Sequence, residues 1–153
     1  NVLMDAGTWR GKGTLLYPGS SLGLPLVAAL EVLPEDGAWT LTGSCTLEGD
    51  AAVPFSVRLH LDHEGVWGVA VYSAVMGLEG TAKIESEPHL ALLWSESGDR
   101  QMTLTLFSIA GGVGCRGFVR AAGKVCTWEI AWRREAAPQP VGNVFSLRPF
   151  RRR

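Results

Sequence analysis

Few residues in this chain have the type and spacing to do chemistry. There are three histidines: His60, His63 and His89. His60, Asp62 and His63 offer enough donor atoms for a metal ion, but if that stretch is extended, side chains alternate and His63 points away from His60. The expected reading is therefore a solvated polar face with a turn histidine, and no metal site. His89 follows Pro88 and stands at the start of an apolar run. Three cysteines, Cys45, Cys115 and Cys126, form no C-x-x-C pair, and they read as small buried hydrophobes in a reducing compartment. Cys115 and Cys126 flank Ala121-Ala122-Gly123, so a hairpin there would bring their strands together. Neither a Gly-x-Ser-x-Gly elbow nor a phosphate loop is present, because Gly111-Gly112-Val113-Gly114 lacks the following Lys-Ser/Thr. Catalytic residues are not identifiable from these motifs.

What remains is aromatic. Trp9, Trp39, Trp67, Trp94, Trp128 and Trp132 are six indoles in 153 residues. Some belong to a core, and others could line an apolar cavity. Their positions depend on the elements that carry them. Turn signals recur at 17–20, 34–37, 48–50, 62–65, 76–77, 86–88, 97–99, 110–112 and 121–123, and between them lie runs rich in Val, Leu, Thr, Trp and Phe. Several runs alternate with period two. Trp39 to Leu47 places apolar residues or Gly at odd positions and Thr or Ser at even ones. Phe55 to Asp62 sets Phe, Val, Leu and Leu against Ser, Arg, His and Asp. This is the pattern of antiparallel strands with one dry and one wet face.

Ten strands are predicted, at about 8–17, 25–33, 38–48, 53–62, 66–74, 78–86, 89–96, 101–109, 113–121 and 124–134. The second could equally make two helical turns after Pro25. Connections this short favour an all-β, antiparallel up-and-down β-barrel over a sandwich, since closure removes the sheet edges. A barrel of this size holds side chains or one small ligand. The run 66–74 is apolar on both faces, and an outward Trp67, Val69 and Val71 would need cover from a tail, a lid or a second subunit.

The chain carries a formal net charge of -1, with 46% apolar residues. That fits one domain with a substantial core and argues against a nucleic-acid-binding body. It contains no run of about 18 apolar residues such as a membrane-spanning helix needs. No signal peptide is evident, so a cytoplasmic setting is expected. The charge is uneven. Residues 1–135 hold ten basic and fifteen acidic residues, whereas 136–153 hold four arginines and no acid. Two parts are expected: a barrel over 1–135, and an extended basic tail over 136–153 that either packs on the barrel or leaves it to meet a partner.

The first strand, Gly7-Thr8-Trp9-Arg10-Gly11-Lys12-Gly13 followed by Tyr17-Pro18, resembles the calycin superfamily and is most similar to nitrobindin-type barrels. The resemblance implies a ten-stranded calycin-like barrel, closed at one end by Trp9, with a basic residue of the last strand, Arg134 or Arg133, packed across that indole. A guanidinium stacks well on an indole and can also hydrogen-bond barrel-end carbonyls. The nitrobindin-type haem ligand is a histidine near the end of the barrel. No histidine follows His89 here, so haem is disfavoured and no cofactor is expected.

Three functional readings follow. In the first, the barrel binds a small, mostly apolar molecule in its interior, lined by Trp39, Leu41, Phe55, Val57, Leu59, Leu104, Trp128 and Trp132. In the second, an isomerase or cyclase folds a hydrophobic substrate by confinement. In the third, a filled barrel acts through its surface, as a homodimer or with another protein.

Overall fold

A computed structural model describes residues 4–63 and 65–136. The tail expected over 136–153 lies outside the described residues except for Ala136. Ten strands run in sequence: β1 (Gly7–Leu16), β2 (Leu24–Glu35), β3 (Ala38–Leu47), β4 (Val53–His63), β5 (Val66–Ser73), β6 (Gly77–Lys83), β7 (His89–Trp94), β8 (Arg100–Ile109), β9 (Gly112–Ala121) and β10 (Lys124–Arg134). Each pairs antiparallel with its neighbour in sequence, and β1 pairs with β10, so the sheet closes into an up-and-down barrel. The segment after Pro25 is strand rather than helix. It is held on both sides, Leu30 opposite Trp9 on β1 and Gly43 on β3. Two neighbouring ladders outweigh a local helical preference that two turns could not sustain alone.

Closing ten twisted strands requires sharp coiling, and glycines provide it. Gly13 and Gly43 face inward, and a Cβ at either would fall within the contact shell of a neighbouring strand's carbonyl, that of Glu129 or of Ala29. Only a residue without a side chain lets the strands approach so closely. Gly11 serves differently: the Trp132 ring and Ile130 fill the space above it.

The inner face is almost wholly apolar, and most of its buried residues fall in two groups. One gathers Met4, Trp9, Ala28, Leu30, Val32, Val113, Cys115 and Trp132 around β1, β2, β9 and β10. The other gathers Val69, Leu78, Ala82, Ala91 and Leu93 on β5, β6 and β7.

Two expectations need correction. Trp67, Val69 and Val71 face inward, not outward, where they pair with Leu61, Leu59 and Val57 of β4. The outer side of β5 carries Gly68, Ala70 and Tyr72, and the His60 imidazole occupies the space a Cβ at Gly68 would take. The strand with an exposed apolar face is β7, whose Leu90, Leu92 and Trp94 point to solvent. Cys115 and Cys126 do lie on paired strands, but Cys115 sits opposite Ile130 and Cys126 opposite Val119, four positions apart along the ladder. All three cysteines are free.

Candidate functional site

One end of the barrel is plugged with indoles. Up-and-down topology brings the starts of β1, β3, β5, β7 and β9 together with the ends of β2, β4, β6, β8 and β10. Trp9, Trp39, Trp67 and Trp132 all face inward near that end. Trp9 is 6% exposed, and its Nε1–H donates to the Asp5 carbonyl at 2.9 Å. Met4 packs into the same cluster. Arg134 stands opposite Trp9 in the ladder, yet its guanidinium does not stack on the indole. It lies over Gly7 instead, and Nη2 donates to the Ala6 carbonyl at 2.6 Å. The arginine that does sit over an aromatic ring is Arg116, 5.7 Å from the centre of Phe107 on the outer wall. Arg134 therefore ties down the entering chain, and the seal is made by Trp9, Met4 and Trp132. At the opposite end the inward positions carry no indole plug: they include Leu15, Val53, Ser73, Met102, Val119 and Cys126, with Arg100 and Lys124 at the strand starts.

Between the two packed groups, β3, β4, β8 and β10 turn apolar side chains toward the axis that keep part of their surface accessible. Leu41, Phe55, Val57, Leu59, Leu104 and Trp128 are all of this kind, as is Trp39 nearer the plug. All eight residues singled out from the sequence as lining lie on the inner face. Seven are half-buried, whereas Trp132 is 6% exposed and belongs to the plug. The three thiols also face inward. Burial pushes Cys45, Cys115 and Cys126 above the ordinary thiol range, and for Cys115 the Trp128 indole N–H partly offsets it.

His89 is the residue that the sequence left without a role. It opens β7 on the inner face, opposite Leu106 on β8, and is 6% exposed. Its Nδ1 is buried with no hydrogen-bond partner. The run from His89 to Trp94 is apolar at both parities, so alternation alone could not say which side His89 takes. His60 and His63 are not brought together over a metal: His63 pairs with Asp62 at 3.6 Å, beyond a register shift that follows Leu61. Among the described residues no group of three or more metal-ligating side chains forms.

The outer wall has a site that periodicity could not reveal. Thr81, Leu92, Thr103, Phe118, Thr127 and Leu16 form one continuous cross-strand row over six strands, alternating threonine with a large apolar residue. Part of this row borders a groove of about 450 Å³, where Arg116 and Glu129 pair at 2.7 Å.

Fold and site together define a closed, ten-stranded antiparallel barrel of lipocalin-like architecture with an apolar interior. Among solved structures it is similar to an S-type phycobiliprotein lyase from Guillardia theta, at a TM-score of 0.62 and 10% identity over 88% of this chain and 90% of that one. At such identity the likeness concerns the fold. No family model and no curated protein matches the sequence.

Proposed function

We propose that this protein is a small-molecule-binding barrel that holds a mostly apolar ligand in its interior, entering at the end opposite Trp9. One observation carries the reading: Leu41, Phe55, Val57, Leu104 and Trp128 point to the axis yet stay partly accessible, between two groups that are packed. An apolar, partly open space with one sealed end suits an apolar guest, since such burial is worth roughly 25 cal/mol per Å² removed from water. The phycobiliprotein lyase fold is a setting in which an enzyme occurs, but fold does not assign chemistry. An isomerase or cyclase that adds proton transfer to confinement would need acid–base groups at the substrate, and the inner face offers His89, the first residue of β7, without a carboxylate beside it. Binding is therefore favoured over turnover. The test is titration with the neutral fluorophore N-phenyl-1-naphthylamine, together with native mass spectrometry of the purified protein. Saturable fluorescence at one site per chain is expected. No fluorescence gain, with a native mass equal to the bare chain, refutes the reading.

A second reading concerns the outer wall. Leu90, Leu92 and Trp94 are 43–49% exposed on adjacent outward positions of one strand. In the row Glu79, Trp94, Gln101, Arg120, opposite charges stand at the two ends. A two-fold axis between β7 and β8 would lay each Glu79 against the other copy's Arg120, so the occupant assigned to this face is a second copy of the chain. Light scattering should give a dimer that Leu92→Lys dissociates, and a monomer at all concentrations refutes it.

A further inference from the structure

We propose that His89 is the polar anchor of the interior: it hydrogen-bonds the single neutral polar group of an otherwise apolar ligand, a hydroxyl or a carbonyl, which enters polar end first. The inference rests on the container reading above and adds the chemical class and orientation of the guest.

A buried polar atom without a partner is uncommon, because burying it unpaired forfeits its hydrogen bonds to water. His89 is such a case. Its Nδ1 has no partner, the side chain is more than nine-tenths buried, and the neighbouring inward residues, Ala91 and Leu106, offer nothing to pair with. An imidazole presents one N–H and one lone pair, so it can serve a hydroxyl as donor or acceptor and a carbonyl as donor. It stands near the plugged end, and a ligand group that reaches it must be the first to enter.

The charge of the wall restricts that group. Between the strand ends, inward positions carry no lysine or arginine. The basic residues of that parity lie at the ends: Arg134 is tied to Ala6 beside the plug, and Arg100 and Lys124 stand at the opposite end, where Arg100 Nη1 donates to the Val75 carbonyl at 2.7 Å. A carboxylate carried to His89 would be desolvated with no lysine or arginine to meet it, and the imidazole would first have to take up a proton to serve as its counter-charge. At the mouth it would find Arg100 and Lys124. A neutral polar group is thus the one that gains by going deep.

The experiment uses displacement of N-phenyl-1-naphthylamine by 1-octanol, octane and octanoate, in wild type, His89→Leu and His89→Gln. The expected result is that 1-octanol outcompetes octane in wild type and loses about two- to tenfold in apparent affinity in His89→Leu, the range of one net hydrogen bond. Octane and octanoate should be unchanged, and His89→Gln should retain part of the octanol preference. Thermal unfolding of both variants checks that the barrel is intact, and His89→Leu should unfold no lower than wild type because it removes an unpaired buried group. If the fluorophore binds and octanol affinity is the same in His89→Leu, the anchor is refuted while the container stands. An octanoate loss matching that of octanol overturns the neutral-group assignment. Failure of the fluorophore to bind wild type removes both readings.

Discussion

The clearest test of an interior space is to place a large side chain in it. Val57 and Val32 are both valines on inner-face strands, so the same change at each probes two environments. Val32 is 2% exposed and lies in the packed group with Trp9 and Leu30. Val57 sits mid-strand on β4, between Leu41 and Val71, and is half-buried although it points inward. Tryptophan suits a strand, so propensity does not oppose either replacement. At Val32 the indole must displace packed neighbours, and overpacking of that kind costs about 1–3 kcal/mol or more. For a domain of this length each kcal/mol shifts Tm by roughly 2–4 °C, so Val32→Trp should melt about 2–12 °C below wild type. If the proposed interior space is there, the indole at Val57 enters it and gains contacts, and the change should stay within about 1 kcal/mol. The same variant should lose N-phenyl-1-naphthylamine binding, because the indole takes the ligand's place. Paired scanning calorimetry and fluorophore titration read both quantities. A Val57→Trp protein destabilised as much as Val32→Trp would mean a barrel packed solid, and the container reading would fall.

Other consequences can be checked separately. Gly43→Ala drives a Cβ into the Ala29 carbonyl across the ladder and should cost at least about 3 kcal/mol in urea denaturation, or leave the protein insoluble; a near-neutral result would contradict the close strand approach. Arg134→Ala removes the guanidinium from the Ala6 carbonyl, and an exposed bond of this kind should cost about 1 kcal/mol, with faster amide exchange at the N-terminal residues. The three inward thiols, raised by burial, should react with Ellman's reagent far more slowly than in denatured protein, and octanol should slow Cys45 and Cys115 further; rapid labelling of all three in the native state would argue against their placement. Hydrogen bonds from the Ser97 and Ser95 hydroxyls hold the Asp99 carboxyl below its usual range. What Asp99 adds to stability is therefore present above the unfolded carboxylate value and lost as pH falls through the lowered folded one, so Asp99→Ala should flatten the acid limb of the Tm–pH curve.

The strand pattern was determined by the sequence itself. Turn residues at regular spacing and period-two alternation over segments such as 39–47 and 55–62 place every one of the ten strands within a few residues, because a half-buried strand must segregate its side chains by face. Inward Trp9, Gly11 and Gly13 were legible in the same way. Where both faces are apolar, the rule carries no sign. Over 66–73 and 89–94 alternation defines two faces without saying which is dry. That sign is set by register with the neighbours, Leu59 opposite Val69 and Leu106 opposite His89, and a slip of one residue would invert it. Tertiary structure alone therefore turned Trp67, Val69 and Val71 inward, left Leu90, Leu92 and Trp94 on the outer wall, and carried His89 inside. It likewise drew Arg134 to the Ala6 carbonyl instead of the indole, because closure of β1 on β10 fixes which backbone acceptors lie within a guanidinium's reach.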